Sequence, residues 1–303
     1  IRYMAMEMAY DKDLKNINRI TNLKENITND IRFLYGTVDF SGQKALFIAF
    51  RGTESLRNGV RDGNATKSKF EGVEVHSGFL GGYELAKKDM REKVEAYLKE
   101  NTDTDIFLTG HSLGGSLATI ALVDLSKLLK DKFPNRQFKL HLITFGSPRT
   151  GDLDFSKKVN SMENLKTNVR FVYGRDPVPS LPSSLRFKHV GTPIHFSNET
   201  KFGEIKCNDV KQEKDCKIKE DETTLTKKKR KQRFGLGGLV LAGCTAYAFK
   251  KLFVDDHSKY RKIDVKSLGE SLKKYRETCK SGLESKLEEM TEALNKDLKR
   301  KLK

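Results

Sequence analysis

The sequence predicts an α/β fold in which a mostly parallel central sheet is flanked by helices. Short apolar, strand-like runs alternate with longer helical runs over the first two hundred residues. In addition, a glycine-rich turn joins one of these strands directly to the helix that follows it. Functional sites of such folds lie at the carboxyl ends of the strands, so we expect the functional residues there.

The predicted elements follow one another in β-α-β order, which makes the central strands parallel. They are a helix over 1–20, strands over 33–38 and 44–50 that form a hairpin around Ser41-Gly42, a helix over 79–101, a strand over 106–109, a helix over 115–132, a strand over 138–145, a helix over 151–162, a strand over 169–173, and a final antiparallel pair over 187–190 and 194–196.

Residues 110–115 read Gly-His-Ser-Leu-Gly-Gly and stand between a strand and a helix rich in Leu and Ala. This G-x-S-x-G pattern predicts a sharp turn that presents Ser112 as a nucleophile, with glycines where a larger side chain would clash. The N-terminus of the following helix favours negative charge beside the serine. The alternative is a glycine-rich turn that carries a solvated serine.

A serine requires a base and an orienting carboxylate, which follow it in the order Asp or Glu, then His. Asp176 comes just after the strand 169–173, and prolines on its C-terminal side stiffen the loop. Alternatively, Asp176 is a turn residue before a proline. Asp152 and Asp154 open a helix, so we expect them to act as caps.

Three histidines follow Asp176 along the chain. His189 and His195 fall in strand-like segments, where a histidine more often packs against the sheet. His257 lies in a polar loop after an apolar run, and a loop can carry an imidazole to the mouth of a site. Spacing alone favours His257 over His189 but leaves both open.

Five motifs in order resemble those of the class 3 lipase family, the fungal triacylglycerol lipases and their relatives. The motifs are Phe50-Arg-Gly-Thr-Glu-Ser-Leu-Arg-Asn58, His76-Ser-Gly-Phe79, Gly110-His-Ser-Leu-Gly-Gly115, Thr144-Phe-Gly-Ser-Pro-Arg149 and Asp176-Pro-Val-Pro-Ser-Leu-Pro182. The resemblance covers about residues 1–260 as one domain with an insertion over 217–250, and leaves 261–303 as a charged helical tail. It implies an α/β-hydrolase fold with a helical C-terminal extension.

The resemblance also implies a serine carboxyl-ester hydrolase that acts on lipid esters and needs no cofactor. Its triad is Ser112, Asp176 and His257, the last in an Asp-His-x-x-Tyr setting, and the backbone N–H groups of Leu113 and Thr53 form the oxyanion hole. A phospholipase or short-chain esterase at anionic membranes is one alternative. A non-catalytic relative that binds lipid or membranes is another.

The segment after Thr53 corresponds to the lid of this family. We assign Leu56 and Val60 in this segment, together with His111 beside the serine, to substrate binding. Only Leu56, Val60 and Ala65 are apolar between residues 54 and 69, a thin face for contact with lipid. We therefore expect weak activation by lipid interfaces.

The four cysteines show no metal-ligand spacing, so we expect no metal. A pair spaced like Cys207 and Cys216 is bridged in some secreted members of the family, and such a bridge implies an oxidising, secretory compartment. The alternative is two surface thiols. Cys244 and Cys279 have no obvious partner in the sequence.

The net charge of +17 is uneven: residues 1–150 carry 23 basic and 19 acidic side chains, and residues 151–303 carry 35 and 22. The basic run Lys227–Arg233 precedes an apolar block, Phe234–Phe249, which as a helix measures about 24 Å and falls short of a bilayer core. The block is a packed core helix, a membrane-dipping anchor, or a spanning or re-entrant segment. The run suits an anionic membrane surface better than nucleic acid, while the sequence leaves the oligomeric state open.

Overall fold

The computed structural model describes the sheet, the helices on it and a short part of the C-terminal region. The described residues are 20–28, 31–40, 43–52, 66–102, 105–196, 202–205, 257 and 259–262, with single positions at 270, 273, 274 and 277. Statements about structure below concern these residues.

Eight strands form the central sheet, in the spatial order β1-β2-β3-β6-β7-β8-β9-β10. The first three strands are antiparallel, the strands from β3 to β9 are parallel, and β10 returns antiparallel to β9. Their bounds are β1 Ile20–Thr28, β2 Ile31–Phe40, β3 Gln43–Phe50, β6 Asp105–His111, β7 Lys139–Phe145, β8 Leu165–Tyr173, β9 Thr192–Phe196 and β10 Phe202–Ile205. The prediction of a mostly parallel central sheet is confirmed.

A two-stranded hairpin, β4 (Lys67–Phe70) and β5 (Val73–His76), leads into the first helix. The helices are α1 (Ser77–Glu100), α2 (Leu113–Lys132) and α3 (Leu153–Asn160). His76 caps the N-terminus of α1, because its side chain accepts a hydrogen bond from the N–H of Gly78. Among the described residues, no helix combines the length and the apolar character that a membrane span requires.

All three helices pack on one face of the sheet because their apolar sides meet alternating apolar side chains of the strands. Met90 of α1 and Leu117 of α2 belong to the same buried cluster as Leu108 of β6. Side chains alternate along each strand, so the other half of the strand residues point to the opposite face of the sheet. On that face Phe145 and Phe171 stack with ring centroids 5.0 Å apart. The sheet is thus apolar on both sides, as expected for parallel strands.

Three features depart from the sequence prediction. Residues 187–190 do not form a strand and make only an isolated bridge, between Lys188 and Gly151, so the predicted pairing of 187–190 with 194–196 is wrong. The antiparallel partner of β9 is β10 instead. Strand β1 and the β4–β5 hairpin were not predicted, and most of the helix predicted over 1–20 lies outside the described residues.

Candidate active site

Ser112 occupies the turn between the carboxyl end of β6 and the start of α2, as the sequence predicts. Its backbone has φ 57° and ψ −131°, a conformation that residues with a side chain rarely adopt. The N–H of Ser112 donates to the carbonyl oxygen of Phe145 in β7 at 2.9 Å, which anchors the turn to the sheet. Non-glycine residues held in such a conformation cluster at functional sites.

The glycines around Ser112 are required by close backbone contacts. A Cβ on Gly110 would lie 2.2 Å from the carbonyl oxygen of Gly114. A Cβ on Gly114 would lie 2.1 Å from the carbonyl oxygen of Phe50, at the end of β3. The first turn of α2 therefore rests directly on the carboxyl ends of β6 and β3, a contact that no larger residue permits.

Asp176 lies three residues beyond the end of β8, and its carboxylate is fully buried. The N–H of Val178 donates to Oδ1 at 2.9 Å. His257 donates from Nδ1 to Oδ2 at 2.9 Å, and the hydroxyl of Tyr260 donates to the same oxygen at 2.6 Å. Three donors thus hold this carboxylate in one orientation, at the edge of the sheet where Ser112 lies.

His257 is buried, and its Nδ1 carries the hydrogen because a carboxylate only accepts. In the neutral ring this leaves Nε2 as the basic nitrogen. The main chain of His257 contacts the residue before the serine, because its carbonyl oxygen lies 2.9 Å from Nε2 of His111. The structure thus brings Asp176 and His257 into direct contact and places them beside the Ser112 turn.

Tyr260 received no role from the sequence, although it is the last residue of the Asp-His-x-x-Tyr pattern. Its side chain is fully buried, and its hydroxyl accepts from the N–H of Tyr173 at 3.0 Å while donating to Asp176. Burial, followed by the negative charge of Asp176, raises the pKa of Tyr260 well above its usual value. Tyr260 therefore remains a hydrogen-bond donor at neutral pH.

The two other C-terminal histidines make different contacts. His189 lies 2.7 Å through Nε2 from the carbonyl oxygen of Pro179, and burial, then Arg170 and Arg149, lowers its pKa well below the usual value. Burial, then Arg170, lowers the pKa of His195 to about 4. The contacts described for these two rings do not include Asp176, so the structure favours His257 among the three candidates.

Asp152 and Asp154 lie at the start of α3, as predicted. Asp152 caps the helix by accepting from the N–H of Phe155 at 2.9 Å, and Asp154 pairs with Lys157 in the first turn at 3.4 Å. The capping role predicted for Asp152 is confirmed, whereas Asp154 lies within the first turn and is not the cap of the helix. Neither carboxylate belongs to the site around Ser112.

Several predicted residues fall outside the described part of the chain. Leu113, the first residue of α2, and His111 are described. The residues not described are Thr53, Leu56, Val60, Cys207, Cys216, the Lys227–Arg233 run and the Phe234–Phe249 block. Their predicted roles stay predictions.

A match to a known family covers the centre of this site. Residues 47–185 match the sequence profile described as Lipase (class 3). This segment of the chain is therefore similar to the class 3 lipases. This lipase segment includes the Ser112 turn and Asp176, whereas His257 lies beyond it.

Two relatives of known name are fungal lipases. The lipase of Rhizopus niveus is 33% identical over 181 residues, covering 57% of this chain and 44% of the relative. The secreted mono- and diacylglycerol lipase A of Penicillium cyclopium is 29% identical over 181 residues, covering 58% of this chain and 55% of the relative. The chain thus spans about half the length of the curated relatives it matches.

Solved structures extend the likeness to the fold. The triacylglyceride lipase of Rhizomucor miehei superposes with a TM-score of 0.52 at 26% identity, covering 63% of this chain and 71% of that protein. Together with the parallel sheet and the serine turn, this likeness makes the fold an α/β-hydrolase fold, as the class 3 lipase motifs imply.

Proposed function

We propose that this chain is a serine carboxyl-ester hydrolase that cleaves lipid esters through an acyl-enzyme. The observation that carries the proposal is the 2.9 Å hydrogen bond between His257 and the buried Asp176, beside a serine held at φ 57°. A serine becomes nucleophilic when an oriented imidazole takes its proton, and this arrangement contains each of the required groups.

In the proposed reaction, Ser112 Oγ attacks the ester carbonyl carbon while Nε2 of His257 takes the hydroxyl proton. Asp176 stabilises the resulting imidazolium through its bond to Nδ1. Collapse of the tetrahedral intermediate breaks the bond to the alcohol oxygen, which leaves with the proton from His257. Water, deprotonated by the same imidazole, then attacks the acyl-enzyme and releases the fatty acid.

The N–H groups of Leu113 and Thr53 serve as the oxyanion hole in this proposal. The N–H of Leu113 belongs to the first turn of α2, where helical N–H groups have no partner within the helix. The contact of Gly114 with the carbonyl oxygen of Phe50 brings the end of β3, three residues before Thr53, against this turn. This contact supports two donors, from different parts of the chain, that face one oxyanion.

The proposed substrates are acylglycerols, because relatives at 29–33% identity carry the names lipase and secreted mono- and diacylglycerol lipase. Phospholipids and soluble short-chain esters are the alternatives. Rates on a triacylglycerol, a monoacylglycerol, a phospholipid and a short-chain ester distinguish them. We expect a rate that rises smoothly with soluble ester, and a sharp jump at the solubility limit would contradict the predicted weak lid.

We further propose that the protein acts after secretion and touches anionic lipid surfaces through Lys227–Arg233 and Phe234–Phe249. The word secreted in the name of the Penicillium relative supports the first point, and the charge of the run supports the second. Binding to anionic vesicles is expected to weaken as salt rises. Binding that ignores both salt and lipid charge would remove this part of the proposal.

Labelling by a fluorophosphonate, which reacts with activated serines, tests the central claim. We expect stoichiometric labelling of the wild-type chain, none in Ser112→Ala, and a loss of at least ~10⁴-fold in kcat for that variant. Ser126→Ala is the matched control, because Ser126 is a buried serine of the same helix far from the turn. Absence of labelling in the folded wild-type chain would contradict the proposal and favour a non-catalytic lipid-binding relative.

A further inference from the structure

The imidazole of His111 links the end of β6, which leads into Ser112, to the main chain of His257. His111 has no role in the reaction proposed above. His111 is the last residue of β6, and its side chain is buried. Its Nε2 lies 2.9 Å from the carbonyl oxygen of His257, a residue 146 positions later in the chain. Because a carbonyl oxygen only accepts, Nε2 of His111 must carry a hydrogen and donate it.

The His111 ring also packs against the groups that operate the site. Its centroid lies 4.4 Å from that of His257 and 5.5 Å from that of Tyr260. His111 therefore contacts both the base and the tyrosine that holds the carboxylate, through ring packing as well as through a hydrogen bond.

The strand that carries His111 is firmly held. His111 pairs with Phe145 in the register between β6 and β7, and the next N–H, that of Ser112, donates to the carbonyl oxygen of Phe145. His257 instead belongs to a segment outside the sheet, which reaches Asp176 through side chains. The bond from His111 acts on the main chain of His257, and so links the base to the same strand end that carries the nucleophile.

We propose that His111 is a positioning residue that fixes the main chain of His257 relative to Ser112 and so sets the approach of Nε2 to the serine hydroxyl. This inference rests on the proposed function, since the position of the base affects a rate only if Ser112 reacts. Proton transfer requires the two atoms to lie within hydrogen-bond reach, and a displacement of about 1 Å costs about 100-fold in rate.

Two substitutions separate the hydrogen bond from the packing. His111→Phe keeps a ring of similar size and removes the N–H donor, whereas His111→Gln gives up the ring and keeps an N–H at similar reach. In His111→Phe we expect kcat and the rate of fluorophosphonate labelling to fall together by ~10- to 100-fold, with KM within about twofold of wild type. We expect His111→Gln to recover most of this loss.

A purely structural role makes a different prediction. Tyr83→Phe removes another buried hydrogen bond, from the Tyr83 hydroxyl to Asp124, whose partners do not include the residues of the site, and serves as a control that is expected to lower the melting temperature without changing kcat. If His111→Phe loses melting temperature but keeps kcat within twofold, or if Phe and Gln variants lose the same activity, the positioning role is wrong.

Proton NMR gives a readout that does not depend on turnover. The hydrogen on Nδ1 of His257, shared with Asp176, is expected to give a downfield resonance that His257→Ala removes. We expect this resonance to broaden or shift in His111→Phe and to return in His111→Gln. An unchanged resonance in folded His111→Phe overturns the inference even if the wild-type chain hydrolyses no ester, whereas failure of the proposed function appears as a wild-type chain that does not react with the fluorophosphonate.

Discussion

A carboxylate, an imidazole and a hydroxyl lie together at each end of the parallel strands. We call the side where these strands end the carboxyl edge and the side where they begin the amino edge. The two clusters differ in how the three groups are hydrogen-bonded to one another. At the carboxyl edge, His257 and the hydroxyl of Tyr260 both donate to Asp176. At the opposite edge, the imidazole of His141 stands in the middle: Nε2 lies 3.0 Å from Asp105 and Nδ1 lies 2.9 Å from the hydroxyl of Thr167.

The order of the groups decides what each cluster can do. At the carboxyl edge the carboxylate is the centre, so His257 uses Nδ1 for orientation, and in the proposed reaction its Nε2 serves as the base. At the amino edge both nitrogens of His141 are engaged within the sheet, and Phe107 stacks on the ring with centroids 4.3 Å apart. Similar residue types therefore form a proposed catalytic pair beside the Ser112 turn at one edge and a link between three strands at the other.

The largest expected effect is on kcat, and it distinguishes the carboxylate of Asp176 from that of Asp105. Asp176→Asn is expected to lower kcat by ~10⁴-fold, because an amide favours the wrong tautomer of His257. Asp105→Asn, the matched change at the other edge, is expected to leave kcat within twofold and to lower the free energy of unfolding by about 1 kcal/mol. Ester hydrolysis and urea unfolding measure both; equal losses of kcat would break the comparison.

The next largest effect is a loss of stability when the close backbone contacts of the Ser112 turn are disturbed. Gly114→Ala is expected to cost about 3 kcal/mol or more, because its Cβ meets the backbone of β3 and neither element can yield cheaply. Gly81→Ala is the control: Gly81 is exposed in α1 and a Cβ there meets nothing within 4 Å. It is expected to raise stability by about 0.5–1 kcal/mol. Thermal unfolding that leaves Gly114→Ala as stable as wild type would contradict the tight turn.

A third test uses the charged neighbours of His195 and His141, which differ in sign. His195 in β9 is half-buried near Arg170, and desolvation followed by that charge lowers its pKa to about 4, whereas His141 lies against Asp105. As pH falls from about 6.5 to about 4, the unfolded chain takes up a proton that folded His195 does not. The folded state therefore loses on the order of 2 kcal/mol in this window. Urea unfolding of His195→Gln at pH 7.5 and 4.5 is expected to show that much less acid sensitivity than wild type; an equal drop in both proteins would contradict it.

The smallest expected effects come from removing the hydroxyl of each cluster, that of Tyr260 or that of Thr167. Tyr260→Phe removes one donor from Asp176 and is expected to lower kcat by about tenfold with KM unchanged, since the remaining contacts still hold the carboxylate. Thr167→Val removes the hydroxyl bond of His141 and is expected to cost about 1 kcal/mol of stability without an effect on kcat. A reduced kcat in Thr167→Val would show that the two edges are coupled.

Sequence reasoning succeeded where the signal is local. The apolar run before residue 110 and the glycines after it predict both β6 and the turn of Ser112, because a strand, a tight turn and a helix each leave a mark on neighbouring residues. The position of Asp176 followed from its place after an apolar strand. The choice of His257 over His189 depended on the family resemblance, and its contact with Asp176 agrees with that choice.

The errors fall where tertiary contacts override local pattern. Strand β1 is a polar edge strand with Lys24 and Glu25 exposed, so it shows no apolar alternation. The segment 187–190 looks like a strand, but its aromatic residue, Phe187, is buried near His76 at the start of α1 rather than in the sheet. The bond between His111 and His257 joins residues 146 positions apart, and no local pattern encodes it.

The buried position of Tyr260 has a consequence for when the proposed site can be completed during synthesis of the chain. Its hydroxyl meets Tyr173 and Asp176, residues made more than eighty positions earlier, and the base lies three residues before it. A chain made only as far as Asp176 already contains strands β1 to β8 and the serine turn but lacks His257, so the proposed reaction has no proton acceptor. Under the proposed function, a chain that lacks this segment is unable to hydrolyse lipid esters. In that proposal, hydrolytic activity depends on the docking of residues 257–260 against Asp176 and Tyr173.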